Sequence, residues 1–340
     1  MQQPTTQQSP ADQDHEPKVV LTGGSTVPLD VTPRRRRFAL PEWVAVLFTS
    51  RLAALGCFIL LVMILAAIFA PLITPYGPND MVGDPSTAPS LQHWFGTNHN
   101  GEDVFSQVIY GARISLFVGG AAGVLATALG VAVGIIAGYV GGWVDDLLTL
   151  LMNIFLVIPY LPLLIVISSY LTVRSTLSMI LILAFIGWAG GARVMRSQTL
   201  SLRNRDFIQA ALVAGESSWR IVFAEVMPNM ISMIAHNVIY GFIGAVGAEA
   251  GLEFLGLGNS DATSWGMTLF WAQNNNTLMT GEWWHFAFPG LAVALAGTAG
   301  IFINYGIDVI SNPRLRVIKM PKDLERKLTM DRSAKAGAIR

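Results

Sequence analysis

Residues Gln209 to Asn229 read QAALVAGESSWRIVFAEVMPN, and apolar runs too long for a soluble domain lie on both sides of them. The pattern predicts a short helix, a turn at Gly215, a second amphipathic helix and a stop at Pro228. Glycine reaches the left-handed conformation that ends helices, and Ser217 or Ser218 can cap the next helix by accepting from its free N–H groups. A helix-turn-helix set between membrane spans reads as a unit that docks into something else. The rest of the chain decides what that is.

Of the 340 residues, 52% are hydrophobic and only 13% charged, against roughly 25% charged in ordinary soluble domains. That places the chain among polytopic membrane proteins. Its 22 basic and 22 acidic residues cancel formally, which hides a segregation of Lys and Arg along the sequence. Cys57 is the single cysteine and sits in an apolar run, so it reads as a small buried hydrophobe without disulfide chemistry. Met1 to Pro33 is rich in Gln, Pro, Thr and Asp and has no apolar core. It therefore resembles neither a secretory signal nor a transit peptide and reads as a disordered cytoplasmic tail.

A helix needs about 20 mainly apolar residues to cross a bilayer. Candidate spans are Leu52 to Ile73, Ser115 to Val140, Leu147 to Leu171, Ser175 to Ala192, Met230 to Leu257 and Phe286 to Ile310. Six spans put both termini on one side. Before the first, Pro41 to Phe48 is apolar, carries a tryptophan and follows Arg34 to Arg37, the composition of a helix lying along anionic headgroups.

Orientation follows from the basic residues, because positively charged loops stay in the cytoplasm. The N-terminal tail, the segment between spans four and five and the C-terminal tail together hold 20 of the 22, leaving Arg113 and Arg174 opposite. The loops from Pro75 to Ser106 and from Gly258 to Trp284 contain no Lys or Arg. Both termini and the segment Gln209 to Asn229 are thus expected in the cytoplasm of a multi-pass protein of the inner or plasma membrane.

The outer loops are aromatic, and Trp94, Trp265 and Trp271 are candidates for receptor docking, the alternative being anchorage at headgroup depth. Glu249 and Glu253 share one face of the fifth span. They could line a polar translocation path or outer gate, or simply meet water where that helix reaches the interface. Asp145 and Asp146 open the third span, where the positive end of the helix dipole favours them. His93 and His99 lack a Cys or carboxylate at ligand spacing, so no metal site is expected. A phosphate-binding loop needs a Gly-Lys pair, and no lysine here follows a glycine. No catalytic residue is expected, and any nucleotide hydrolysis belongs to another chain.

The opening segment, with Gln209-Ala210-Ala211, Gly215 and then Val226-Met227-Pro228-Asn229, resembles the coupling motif of ABC-importer permeases, E-A-A-x-x-x-G followed by an apolar pair and proline. His93 to Thr97, Gly101 to Ser106 and Tyr110 to Leu116 look like the signature H-x-F-G-T-D-x-x-G-R-D-x-x-S-R-x-x-x-G-A-R-x-S-L. That signature belongs to C-type permease subunits of the oligopeptide, dipeptide and nickel family. Phe254 to Gly258, Ser264 to Met267, Trp283-Trp284 through Pro289-Gly290, and Gly306-x-Asp308 through Asn312-Pro313-Arg314 extend the match. There are departures. Asn98 stands for an aspartate, Glu102 and Gln107 for arginines, Gln209 for the motif's glutamate, Glu253 for a serine and Asn312 for an aspartate.

The resemblance implies an all-α fold of six transmembrane helices of the type I ABC-importer permease kind. Its expected layout is a tail over 1–40, an interfacial helix over 41–51, and the first span with its outer loop over 52–110. A permease core follows over 111–312, with the coupling motif at 205–229, then a cytoplasmic tail over 313–340. The implied partners are a second, B-type permease subunit, two ATPase subunits that bind ATP and Mg, an extracellular substrate-binding protein and the lipid bilayer. The chain itself would hold no cofactor. Its coupling residues would be Gln209, Ala210, Ala211, Gly215, Trp219, Val226 and Pro228, with Trp219, Ile221, Val222 and Val226 inserted in an ATPase groove. Oligopeptides are the family's commonest cargo; oligosaccharides are the alternative, and nickel a weaker one without a ligand cluster in the spans. A membrane-tethered DNA-binding regulator is the remaining class. Its second helix would offer Arg220 as its only base, far short of what phosphate neutralisation needs, so no nucleic-acid partner is expected.

Overall fold

The computed structural model describes residues 50–171 and 174–311, with the backbone of Lys18–Val20 and Thr26–Pro28. In the N-terminal unit, Met1–Glu42, those two segments pair antiparallel as β1 (Lys18–Val20) and β2 (Thr26–Pro28), with Val19 opposite Val27. The rest of the tail expected over 1–40, most of the interfacial helix and the C-terminal tail lie outside the described residues.

The second unit, Trp43–Arg340, is helical among its described residues. It begins with α1 (Arg51–Ile68), α2 (Ala70–Ile73), the long α3 (Val104–Val140), α4 (Gly142–Val157), α5 (Tyr160–Ser169) and α6 (Thr176–Arg203). Then come α7 (Asp206–Val213), α8 (Ser218–Arg220), a π-helical turn (Ile221–Val226), α9 (Met227–Asn229) and α10 (Ile231–Phe254). The remaining helices are α11 (Trp265–Asn274), α12 (Thr277–Thr280) and α13 (Trp284–Ser311). Five of these, α1, α3, α6, α10 and α13, are long and apolar enough to cross a membrane, and α4 with α5 makes a sixth if counted as one broken span. Phe58, Leu61, Phe117, Ile136 and Leu150 remain exposed on them, an apolar surface that water would not tolerate but lipid accepts.

Three helices differ from expectation for local reasons. The second span was expected from Ser115, but α3 starts at Val104 because the Asp103 carboxylate caps it, accepting from the Ser106 N–H at 2.8 Å. At 1.5 Å per residue α3 is about 55 Å long, well beyond the roughly 30 Å hydrocarbon core. The third span is not one helix. Pro159 forces Ile158 into the extended region, and α4 and α5 meet at 88°. The fourth was expected to end at Ala192, yet α6 continues to Arg203. Two of its three basic residues meet α4: Arg196 forms a two-pronged ion pair with Asp145, and Arg193 donates to the Asn153 Oδ1 at 2.6 Å. Asp145 therefore answers a specific cation, beyond the dipole role expected of it.

α3 is the central strut, with α6 along one side and α10 along another. Both approaches depend on glycine. A Cβ on Gly134 would sit 2.5 Å from the Ala192 carbonyl of α6, and one on Gly123 would sit 2.6 Å from the Phe242 nitrogen of α10. Val118, Ala122, Leu183, Ile186, Ala248 and Leu252 fill the space between these helices, closed from outside by Leu164 of α5.

Candidate functional site

The segment that opened the sequence forms a knuckle beyond the end of α6. α7 closes with two bonds: the Gly215 N–H donates to the Leu212 carbonyl at 3.0 Å and the Glu216 N–H to the Ala211 carbonyl at 3.1 Å. This is a Schellman closure, and it needs a left-handed residue at its apex, where Gly215 has φ +80°. Ser217 occupies the cap position of α8, but neither it nor Ser218 caps through its side chain. Gln209 donates its Nε2 to the Arg203 carbonyl at 3.0 Å, satisfying one of the last carbonyls of α6. The motif's glutamate has no N–H to give, so the amide here supplies a bond that a carboxylate cannot.

The second helix of the unit is not a regular amphipathic α-helix. From Ile221 to Val226 it is π-helical, with the Met227 N–H donating to the Val222 carbonyl. In an α-helix, residues five apart point about 140° away from each other. The i→i+5 bonds of a π turn bring them under one another. Ile221 and Val226 are accordingly both fully buried, packed with Ile208, Met195, Leu202 and Met230. They anchor the knuckle to its own bundle, which corrects the expectation that they enter a partner's groove. Trp219 stays outward at 73% exposure, and Phe223, which the sequence reading missed, stacks on it at 5.7 Å and 13° with 58% exposure. The i, i+4 spacing of two aromatics was the available signal. Ala210 and Pro228 are exposed on the same knuckle and Ala211 is half-buried. Arg220 lies 3.1 Å from Glu216 in an exposed i, i+4 ion pair.

Elsewhere the structure separates the candidates. Glu249 and Glu253 are both buried, so the reading in which they meet water is overturned. The Ser115 hydroxyl of α3 donates to Glu249 Oε1 at 3.0 Å, and the Ser264 hydroxyl that opens α11 donates to Glu253. The two carboxylates tie α10 to its neighbours. Trp94 and Trp271 are exposed, whereas Trp265 is enclosed, its indole N–H donating to the Val108 carbonyl at 2.9 Å. Trp265 is thus a core residue and not part of a docking face.

A polar stripe that the sequence reading passed over lies on α10. His236, Asn237 and Tyr240 face Thr127 of α3 and the glycines 187, 190 and 191 of α6 across a cavity of about 360 Å³. His236 Nδ1 lies 3.4 Å from Asp308 of α13 and is not aligned for a hydrogen bond; the Asn237 Nδ2 has no partner. Adjacent His and Asn within an apolar run were the signal, since polar groups inside a membrane mark pathways more often than they mark packing.

With this geometry in place, residues 130–317 match the family described as "Binding-protein-dependent transport system inner membrane component", more than half of the chain. The chain belongs to this family. Residues 42–92 of this permease match the "N-terminal TM domain of oligopeptide transport permease C". It is 33% identical over 269 residues to the dipeptide transport system permease protein DppC of Bacillus subtilis (strain 168), covering 78% of this chain and 83% of that one. It is 35% identical over 273 residues to a Brucella suis biovar 1 (strain 1330) protein whose name assigns it provisionally to a peptide transport system as permease. That alignment covers 80% of this chain and 90% of the relative. The permease C domain match and the DppC relative place it among the C-type permease subunits.

Proposed function

We propose that this chain is the C-type membrane subunit of an ATP-driven importer that moves peptides into the cell. Peptide cargo is supported by the names of its relatives, and cytoplasmic termini by the basic residues gathered at both ends and around the knuckle. On this reading there are six spans, the third being the bent α4–α5 pair. A B-type permease completes the pathway, an extracellular binding protein delivers cargo, and two ATPase subunits supply the ATP and Mg chemistry that this chain lacks. The path runs along the His236, Asn237 and Tyr240 stripe, while Glu249 and Glu253 brace the bundle.

The single observation that carries the reading is the outward aromatic pair, Trp219 on Phe223, held rigidly over buried Ile221 and Val226. An exposed stacked pair on a fixed base is what a hydrophobic cleft in an ATPase would grip. Movement of that ATPase then reaches α6 and α10 directly, because the knuckle is packed against Met195 and Met230. Each such anchor contributes about 2 kcal/mol to a docked interface. Trp219→Ala with Phe223→Ala is therefore expected to leave the protein in the membrane, strip the ATPase subunits during purification and stop peptide uptake. Uptake at the wild-type rate would refute the assignment. The cargo is checked separately by thermal shift of the cognate binding protein: peptides are expected to stabilise it, and stabilisation by oligosaccharides alone would replace peptide with sugar.

A further inference from the structure

Three of the residues that depart from the family signature, Asn98, Glu102 and Gln107, are joined by the fold into one hydrogen-bonded group. Asn98 Oδ1 accepts from the backbone N–H groups of Asn100 and Glu102, both at 2.9 Å, which fixes its amide and aims its NH2 at Glu102 Oε2, 2.5 Å away. Gln107 Nε2 donates to the same oxygen at 2.8 Å. A carboxylate accepts only, so both amides must turn their N–H groups to it. Gln107 Oε1 is thereby left without a donor although the residue is only 7% exposed.

This group forms one wall of a cavity of about 440 Å³, lined on other sides by residues 260–263, α11 and the start of α13. Asp261 adds a second carboxylate, and no Lys or Arg lines the cavity. His285 also lines it, nearly fully buried, with Nδ1 unpartnered. The loops around it hold no basic residue from Pro75 to Ser106 or from Gly258 to Trp284. An unpaired buried acceptor costs about 1–3 kcal/mol, and here it stands beside two carboxylates that lack a cation. What would complete the set is a positively charged group with several N–H donors.

We propose that this cavity is a socket for a guanidinium or ammonium group carried by the binding protein, an arginine or lysine side chain presented to this face of the permease. Where the signature carries two arginines, this chain carries Glu102 and Gln107, so the wall is acidic here, and a cationic side chain is the complement of that charge. Guanidinium suits the site best, since its planar fork of N–H donors matches a carboxylate such as Glu102. The inference rests on the importer reading above for the existence of that partner, but it concerns which partner is accepted.

The test uses the assembled transporter in nanodiscs and its purified binding protein. Glu102→Gln is expected to weaken binding about 30-fold, and Asp261→Asn, a change to an exposed side chain, a few-fold, while ATPase activity without binding protein stays as in wild type. The affinity of the wild-type complex should also fall as salt rises, and that of Glu102→Gln should fall less. Unchanged affinity in both variants would overturn the socket while leaving the importer reading intact. Failure of the wild-type complex to transport with any binding protein would instead overturn that reading. Free arginine at millimolar concentration serves as a second probe: if it stabilises the wild-type complex but not Glu102→Gln, while both bind the binding protein equally, the socket takes a solute and its assignment to the receptor is wrong.

Discussion

Replacing Gly215 isolates the mechanical role of the knuckle, because nothing lies within 4 Å of where a Cβ would be. Gly215→Val therefore introduces no clash, and its whole effect is on the backbone at φ +80°. Holding a residue with a Cβ in the left-handed region costs about 1–2 kcal/mol, and more for a β-branched one. The alternative is to open the turn and lose the two closing bonds to Leu212 and Ala211, each worth about 0.5–1.5 kcal/mol. By either route the closed knuckle is disfavoured by at least about 1–2 kcal/mol, a factor of roughly 5–30. Retention of the ATPase subunits, measured by titrating them onto the purified permease, should weaken by that factor, and uptake should fall with it. Gly215→Asn should lose less, since asparagine enters the left-handed region more readily. The midpoint of thermal unfolding should fall by no more than the few degrees that about 1–2 kcal/mol allows, because Gly215 is exposed and no core packing is lost. Wild-type ATPase affinity in Gly215→Val would refute the coupling argument. A large drop in unfolding temperature would show that the turn serves the fold instead.

Two further outcomes test the internal ties. Arg196→Ala leaves Asp145 without its cation at the α4–α6 contact and should destabilise the purified protein by about 2 kcal/mol or more; adding Asp145→Asn should recover part of the loss, and a double variant no better than the single would show that the pair is not coupled. Trp265→Ala should cost about 3–5 kcal/mol by cavity formation, and should lower the unfolding temperature without a specific loss of receptor affinity, as fits a buried ring; weakened receptor binding at unchanged stability would restore Trp265 to the docking face.

What was legible in the sequence was whatever depends on composition or on nearest neighbours. Long apolar runs marked the helices, since only internally bonded helices or closed barrels survive in lipid. The Gly215 turn and the Pro159 break are likewise local, although the latter was read as an uninterrupted span because hydropathy averages over a proline. Helix ends were misplaced where side-chain bonding intervened: the adjacent Asp103 caps an earlier start of α3, and beyond Ala192 α6 carries Arg196, which meets Asp145 from far back in the chain.

By itself, then, the sequence determined an all-helical membrane bundle, its segregation of charge, its membership in a permease family and the place of its knuckle. Only the tertiary structure decided which faces are free: that Ile221 and Val226 turn inward while Trp219 and Phe223 turn outward, that Trp265 is core, and that Asn98, Glu102 and Gln107 share one wall of one cavity. The physical reason is that exposure and hydrogen-bond pairing are properties of two surfaces, and a sequence shows only one of them at a time. The π-helical turn adds to this, because a single extra residue per turn rotates every side chain after it to a face that a 3.6-residue period does not predict.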